Sequence, residues 1–175
     1  LMGLILFFIP THGERPPELF FGRRPVGAEA RLGLPMAFAA LGIALAAILL
    51  IHQFAPWLRT EEKNPLQDLL TTPRGATVMA VVLVVAGGIR EEVQRAFLLR
   101  RFELWLGGPV VGVIVASILF GAGHIIQGVD VAIVTGLLGM FWAVVYLRRR
   151  SIVAPVVSHS GFNLLQLAQF VIAGR

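Results

Sequence analysis

Residues 36–51 form an apolar run without a single polar side chain. An α-helix of this length rises about 24 Å. The wider stretch 34–57 is long enough to cross the roughly 30 Å hydrocarbon core of a bilayer, with Trp57 placed to anchor at its far surface. The whole 175-residue chain is 57% hydrophobic and 14% charged, with a mean hydropathy of +0.80. A soluble domain of this size could not bury so much apolar surface, so the sequence predicts a membrane protein.

Apolar runs recur along the chain and divide it into about six segments. We interpret the first run as the end of a helix whose beginning is missing, so the chain is expected to be truncated at its N-terminus. The connections after the third segment span only a few residues, so the helices that they join are expected to be antiparallel neighbours. We therefore predict an all-α fold, a polytopic transmembrane helical bundle, with residues 1–175 in a single membrane domain. The predicted segments are residues 1–9, 34–57, 73–105, 110–126, 131–147 and 152–173.

The basic residues lie between the apolar segments, mainly on one side of the predicted bundle. Connections on that side carry nine arginines, whereas the opposite side carries four basic residues. Under the positive-inside rule, the side with nine arginines faces the cytoplasm. Topology thus accounts for the net charge of +5, so we expect no nucleic-acid partner. We expect the chain to lie in a bacterial or archaeal plasma membrane. The nine are Arg15, Arg23, Arg24, Arg31, Arg100, Arg101, Arg148, Arg149 and Arg150, and the four are Arg59, Lys63, Arg74 and Arg175.

Glycines recur within the segments at short spacings. Small residues on one helix face let membrane helices approach closely, so these positions are predicted helix contacts. The pairs are Gly108 with Gly112, Gly121 with Gly123, and Gly136 with Gly139.

Three apolar segments carry polar side chains well inside their predicted spans. Such groups are costly near the bilayer centre, so each needs a partner or a function. Glu91 and Arg95 are four residues apart and can pair across one helical turn. His159 and Asn163 share a helix face for the same reason. The three groups are Glu91, Glu92, Gln94 and Arg95; His124; and Ser158, His159, Ser160 and Asn163.

Two histidines, a carboxylate and an amide that converge inside a membrane suit peptide hydrolysis. A carboxylate beside a histidine can hold and deprotonate a water. A second histidine and an amide NH₂ can donate to the oxyanion of a tetrahedral intermediate. Alternatively, His124, His159 and Glu91 could ligate zinc and leave an open position for water. The chain has no cysteine, which excludes thiolate chemistry. The residues leave the cofactor open between none and Zn.

These motifs resemble those of the CAAX-protease and bacteriocin-processing family, also called the CPBP or Abi family, which includes the type II CAAX prenyl endopeptidases. That family has an acidic motif with an arginine one turn later, then F-x-x-x-H, then H-x-x-x-N, each on a separate membrane helix. Here "FGAGH" supplies Phe120 and His124, and "HSGFN" supplies His159 and Asn163. The resemblance covers residues 73–173, which would form the catalytic core.

The resemblance implies an intramembrane endopeptidase acting on a peptide or protein substrate within the lipid bilayer, with no implication that the substrate is prenylated. A glutamate would activate water together with His124, and Arg95 would orient that acid. His159 and Asn163 would stabilise the oxyanion. Members of the family have been discussed both as glutamate-dependent and as metal-dependent enzymes, which leaves the zinc alternative open.

The acidic motif departs from the family's E-E-x-x-x-R, because one residue is missing between Glu92 and Arg95. If Arg95 is matched, Glu91 takes the place of the second glutamate, and Arg90 takes the place of the first, which the family uses as the base. If the glutamate pair is matched, Glu91 is the base and a local helix irregularity absorbs the missing residue. Spacing alone leaves both registers open. Because Glu92 is turned about 100° from Glu91 on the helix, we predict Glu91 as the base.

Two other functions fit the same residues. A non-proteolytic membrane scaffold or immunity-type binding protein of the same fold is favoured by Arg90 at the usual position of the base. A small transporter or proton relay also needs buried acids and histidines. Inverted repeats would favour the transporter, and the sequence shows none.

Overall fold

In the computed structural model, the described residues are 1–61, 70 and 72–173, and they contain helices and turns but no strand. The predicted all-α fold is confirmed. Lys63 and Arg175 lie outside the described residues. A π-helical segment, Leu83–Arg90, joins α4 to α5, and short 3₁₀ turns cover Pro56–Leu58 and Ile125–Gln127. The helices are α1 (Met2–Thr11), α2 (Pro16–Phe21), α3 (Val26–Phe54), α4 (Pro73–Val82), α5 (Glu91–Trp105), α6 (Gly108–Ala122), α7 (Val129–Arg149) and α8 (Val153–Ala173).

The helix predicted at residues 73–105 is present as α4, the π segment and α5. Thr72 caps its beginning, since the Thr72 Oγ1 accepts a hydrogen bond from the Gly75 N–H at 3.0 Å. The helix ends at Trp105, and Gly107 and Gly108 then adopt left-handed φ values of 95° and 90°, which glycine tolerates without steric cost. The charged stretch after the apolar run is therefore part of one continuous helix.

Two of the described helices, α3 with 29 residues and α7 with 21, are long and apolar enough to cross a membrane. Helices α1 and α6 are apolar but shorter. On α3 the small residues Ala37, Ala40 and Ala44 are buried, whereas the large Phe38 and Leu45 are more than half exposed. Small residues at the helix contacts and large ones outside are typical of packing in a bilayer. A crossing by six segments stays a prediction.

The bundle contains two closely packed helix pairs, α3 with α8 and α6 with α7. Between α6 and α7, Gly121 lies against Gly136 and the Ala132 carbonyl, and a Cβ on Gly121 would come within 2.5 Å of that oxygen. Gly112 lies against Phe102 of α5 in a similar way. The close approach predicted from the glycines is confirmed at these positions. The predicted positions without such a contact to another helix are Gly108 and Gly123.

Ion pairs gather several arginines at one end of the bundle. The buried Glu29 of α3 pairs with Arg149 at 2.5 Å, and the Arg24 Nε donates to the Arg149 carbonyl at 3.2 Å. Glu103 of α5 accepts hydrogen bonds from Arg150 at 2.6 and 2.8 Å. These hydrogen bonds raise the pKa of Arg150, which lies between α7 and α8, above its ordinary value. The connections that precede α3, follow α5 and follow α7 therefore lie together, as the antiparallel arrangement requires.

Candidate active site

The centre of the site is a buried contact between helices α5 and α8. The Glu92 carboxylate accepts a hydrogen bond from His159 Nδ1 at 2.8 Å, and it also pairs with Arg95 one turn further along α5. All three side chains are at most 5% exposed. Buried charges persist only when they are paired and hydrogen-bonded. Each of these groups therefore depends on the other two for its stability in the interior.

Two aromatic rings enclose this charged cluster. Trp142 of α7 stacks on the His159 ring, with centroids 3.8 Å apart and planes inclined by 17°. The Arg95 guanidinium carbon lies 4.5 Å from the centre of the Phe120 ring of α6. Cation–π contact adds to the stability of the arginine, and the rings exclude water, which strengthens the electrostatic interactions inside. Four helices thus contribute to one dry polar centre.

Glu91 lies on the other side of the His159 ring. Its Oε2 is 3.8 Å from His159 Nε2, and its side chain is 17% exposed. Its Oε1 is 3.3 Å from an Nη2 of Arg90, whose side chain is half exposed. The two adjacent glutamates therefore flank opposite nitrogens of one imidazole, one of them buried and the other accessible.

The predicted pairing of Glu91 with Arg95 is wrong, because Arg95 pairs with Glu92 instead. Residues three apart on a helix are neighbours just as residues four apart are, and burial favours the acid that faces the interior. Glu92, turned about 100° from Glu91 on the helix, is the acid that faces the interior.

The helix irregularity lies before the acids, in the π segment, and α5 itself is regular. Two glycines of this segment allow α8 to approach. A Cβ on Gly87 would lie 2.7 Å from Asn163 Nδ2, and a Cβ on Gly88 would overlap Ser160 Oγ. Asn163 Nδ2 donates to the carbonyl of Leu83 at 3.5 Å. The π segment therefore sets the position of the α8 residues relative to the glutamates.

His124 lies in the turn after α6. Its Nδ1 donates to the Phe120 carbonyl at 2.9 Å, and its ring centroid is 5.0 Å from that of Phe120. His159 contacts the same Phe120 ring from α8, with centroids 5.8 Å apart. Among the described residues, no hydrogen bond or ion pair joins His124 to Glu91, Glu92 or His159. The structure thus brings both histidines to one aromatic ring without direct contact between them.

The donor atoms of the site do not fit the predicted zinc set of His124, His159 and Glu91. Within the part of the chain that the structure describes, no group of three or more His, Asp or Glu side chains is placed to hold a metal ion. His159 Nδ1 bonds to Glu92 and His124 Nδ1 to a backbone carbonyl, which leaves Nε2 of each ring, but the described side chains are not grouped around one point. We derive no step of the reaction through a metal.

Two features near the site were not predicted from the sequence. His52 bonds through Nε2 to the buried Asp130 carboxylate at 2.8 Å. The sequence feature that could have indicated this contact is Asp130, an acid directly before the apolar fifth segment. Trp142 covers His159 and donates through Nε1 to Ser158 Oγ at 3.1 Å.

Comparison with known families matches residues 73–165, or 93 of 175 residues, to the family described as type II CAAX prenyl endopeptidase Rce1-like. The matched range contains every candidate catalytic residue. No curated protein and no solved structure matches the chain. The family and the two long apolar helices α3 and α7 together indicate an integral membrane protein. The chain belongs to the type II CAAX prenyl endopeptidase Rce1-like family.

Proposed function

We propose that this protein is an intramembrane endopeptidase in which Glu91 activates a water molecule for attack on a peptide bond. The observation that carries the proposal is the difference in burial and in hydrogen-bond partners between the two glutamates. Glu92 is fully buried and engaged by Arg95 and His159, whereas Glu91 is accessible and close to His159 Nε2. A general base must be free to accept a proton and reachable by water. Glu91 meets both requirements, and Glu92 fixes the imidazole.

In this proposal, His159 and Asn163 donate hydrogen bonds to the oxyanion of the tetrahedral intermediate. His159 Nδ1–H donates to Glu92, and Nε2 of the same ring faces Glu91. When Nε2 carries a proton, it is a donor for the developing negative charge, and the Asn163 amide lies on the same helix face. Arg95 acts indirectly, since it pairs with Glu92 and holds it in place.

In this proposal, His124 and Glu91 both bind the attacking water. Because its Nδ1–H donates to the Phe120 carbonyl, its Nε2 carries a free lone pair in the neutral ring. Catalytic hydrogen bonds often tighten only in the substrate complex. In the reaction the water oxygen bonds to the carbonyl carbon and its proton passes to Glu91. The same proton then moves to the amide nitrogen as the C–N bond breaks.

The substrate is a peptide or protein segment that reaches the site from the bilayer, and none of the contacts at the site requires it to be prenylated. The catalytic core is residues 73–173 of one membrane domain of about six segments. We place it in a bacterial or archaeal plasma membrane, with its arginine-rich end in the cytoplasm.

Replacement of the histidines tests this mechanism. His124→Ala and His159→Ala should each reduce cleavage of candidate peptides by about a hundredfold or more, because each removes a partner of the water or the oxyanion. His12→Ala, an exposed histidine on another segment, is the matched control and should retain activity. Full activity of His124→Ala in folded protein would contradict the assigned role.

A non-proteolytic scaffold is a second candidate, favoured by the contact between Arg90 and Glu91 at 3.3 Å. A guanidinium this close occupies a carboxylate oxygen that the water would otherwise reach. Arg90→Gln should raise turnover if the protein is a protease that this contact restrains. Inactivity of both the wild type and Arg90→Gln on every peptide would favour the scaffold.

A further inference from the structure

An apolar groove runs along the outer face of the bundle between α3 and α7. Its volume is about 440 Å³, and it is lined by side chains of Met36 and Ile43 from α3 and by those of α7 from Leu137 onward. The groove ends at Arg148 and Arg149, the last residues of α7. None of its lining residues belongs to the candidate active site.

The length of the groove matches one leaflet of a bilayer. Eleven residues of α7 separate Leu137 from Arg148, a rise of about 16 Å. Half of the hydrocarbon core is about 15 Å thick. The groove therefore extends from the level of the lipid headgroups to about the middle of the membrane, which is the reach of one acyl chain.

The charge at the end of the groove is positive. Arg148 is exposed and makes no ion pair or hydrogen bond within the described residues. Arg149 pairs with Glu29, and Arg24 is held at the same place by its bond to the Arg149 carbonyl. These three arginines and one carboxylate leave an excess of two positive charges at this end. Topology explains why arginines lie at this end of the bundle, but it does not explain why an apolar groove terminates at them.

We propose that this groove binds an anionic phospholipid, with one acyl chain along α7 and the phosphate on Arg148 and Arg24. Each arginine at a membrane surface attracts anionic lipid by an amount that corresponds to about fivefold in affinity. The acyl chain adds apolar contact that a free phosphate ion cannot make. The proposal does not depend on proteolysis, since the site can be measured in the absence of any substrate.

Native mass spectrometry of the detergent-purified protein tests the site. Phosphatidylglycerol and phosphatidylcholine with the same acyl chains are added in turn, and bound lipid is counted. We expect the anionic lipid to bind at least about fivefold more tightly, and Arg148→Gln to remove about fivefold of that preference. Arg15→Gln is the matched control, because Arg15 lies at the same end, is exposed, and is absent from the groove. It should leave the preference unchanged.

A second variant keeps the test independent of charge. Met140 lines the groove and is 41% exposed, so Met140→Trp should fill the groove without disturbing the core. It should reduce binding of phosphatidylglycerol while the thermal unfolding temperature stays the same. Equal binding of the two lipids, or unchanged binding in both variants, would overturn the proposal. Displacement of the lipid by millimolar inorganic phosphate alone would also overturn it, because the site would then be an anion site without a role for the acyl chain.

Discussion

The contact between the π segment and α8 makes Gly88→Ala the most informative stability variant. Gly88 is buried, and an added Cβ would overlap Ser160 Oγ and lie 3.2 Å from Ser160 Cβ. Overpacking of a tight contact costs about 1–3 kcal/mol. Alanine favours a helix more than glycine does, which offsets up to about 1 kcal/mol of this cost. The expected net loss is therefore about 1–2 kcal/mol, or a drop of roughly 2–8 °C in the unfolding temperature of a chain of this size.

Activity should fall further than stability in this variant. Displacement of α8 moves the ring of His159 away from Glu91, and a shift of about 1 Å in a catalytic group costs up to about a hundredfold in rate. Thermal unfolding in detergent and peptide cleavage measure the two effects separately. Ser160→Gly in the Gly88→Ala background removes the overlapping side chain and should restore part of both.

Gly42→Ala is the matched control, since Gly42 lies within α3 and a Cβ added there would meet nothing within 4 Å. It should leave the unfolding temperature unchanged, or raise it because alanine favours the helix more than glycine does. Equal behaviour of Gly88→Ala and Gly42→Ala would refute the close contact between the π segment and α8.

Three further predictions follow from the buried charges and the continuous helix. Glu92→Gln should destabilise the protein by about 3–5 kcal/mol in thermal unfolding, because it leaves the buried guanidinium of Arg95 unpaired. His52→Ala should lower the unfolding temperature measurably, because it removes the partner of the buried Asp130, and a change no larger than that of an exposed control would contradict this interpretation. Single cysteines introduced along residues 90–101 should resist a membrane-impermeant thiol reagent until residue 100, whereas uniform fast labelling would show a solvated helix end.

Most helix positions could be predicted because hydrophobic length and glycine breaks are local signals. Helix α2 and the first eight residues of α3, which begins at Val26 and not at residue 34, are polar or proline-rich and were not predicted. The helix that carries the charged stretch ends just before Gly107 and Gly108, where the backbone takes left-handed φ values that glycine tolerates. The apolar residues that follow the acids indicated that this helix continues, and the structure shows that it does. Helix spacing likewise predicted that Asn163 and His159 share one face of α8.

The pairing inside the site could not be predicted from spacing. A residue on a helix has neighbours both three and four positions away, so Arg95 had two candidate partners, Glu91 and Glu92. The choice depends on which acid faces His159 and Trp142 in the interior, and the phase of that face is set by the π segment upstream. A π segment has no reliable signature in a single sequence.

Long-range ion pairs were also beyond sequence reasoning. Glu29 and Arg149 are 120 residues apart, and His52 and Asp130 are 78 apart. Local periodicity contains no information about such partners. Glu29 lies outside the predicted apolar segments, yet its side chain is fully buried.

The central claim is that Glu91 is the base while Glu92 is structural. The most direct test is the rate of peptide cleavage by Glu91→Gln, measured beside its unfolding temperature. The substitution keeps the shape of an accessible side chain and removes its basicity. We predict a loss of about a hundredfold or more in turnover, with an unfolding temperature close to that of the wild type. Full activity of folded Glu91→Gln would contradict the account.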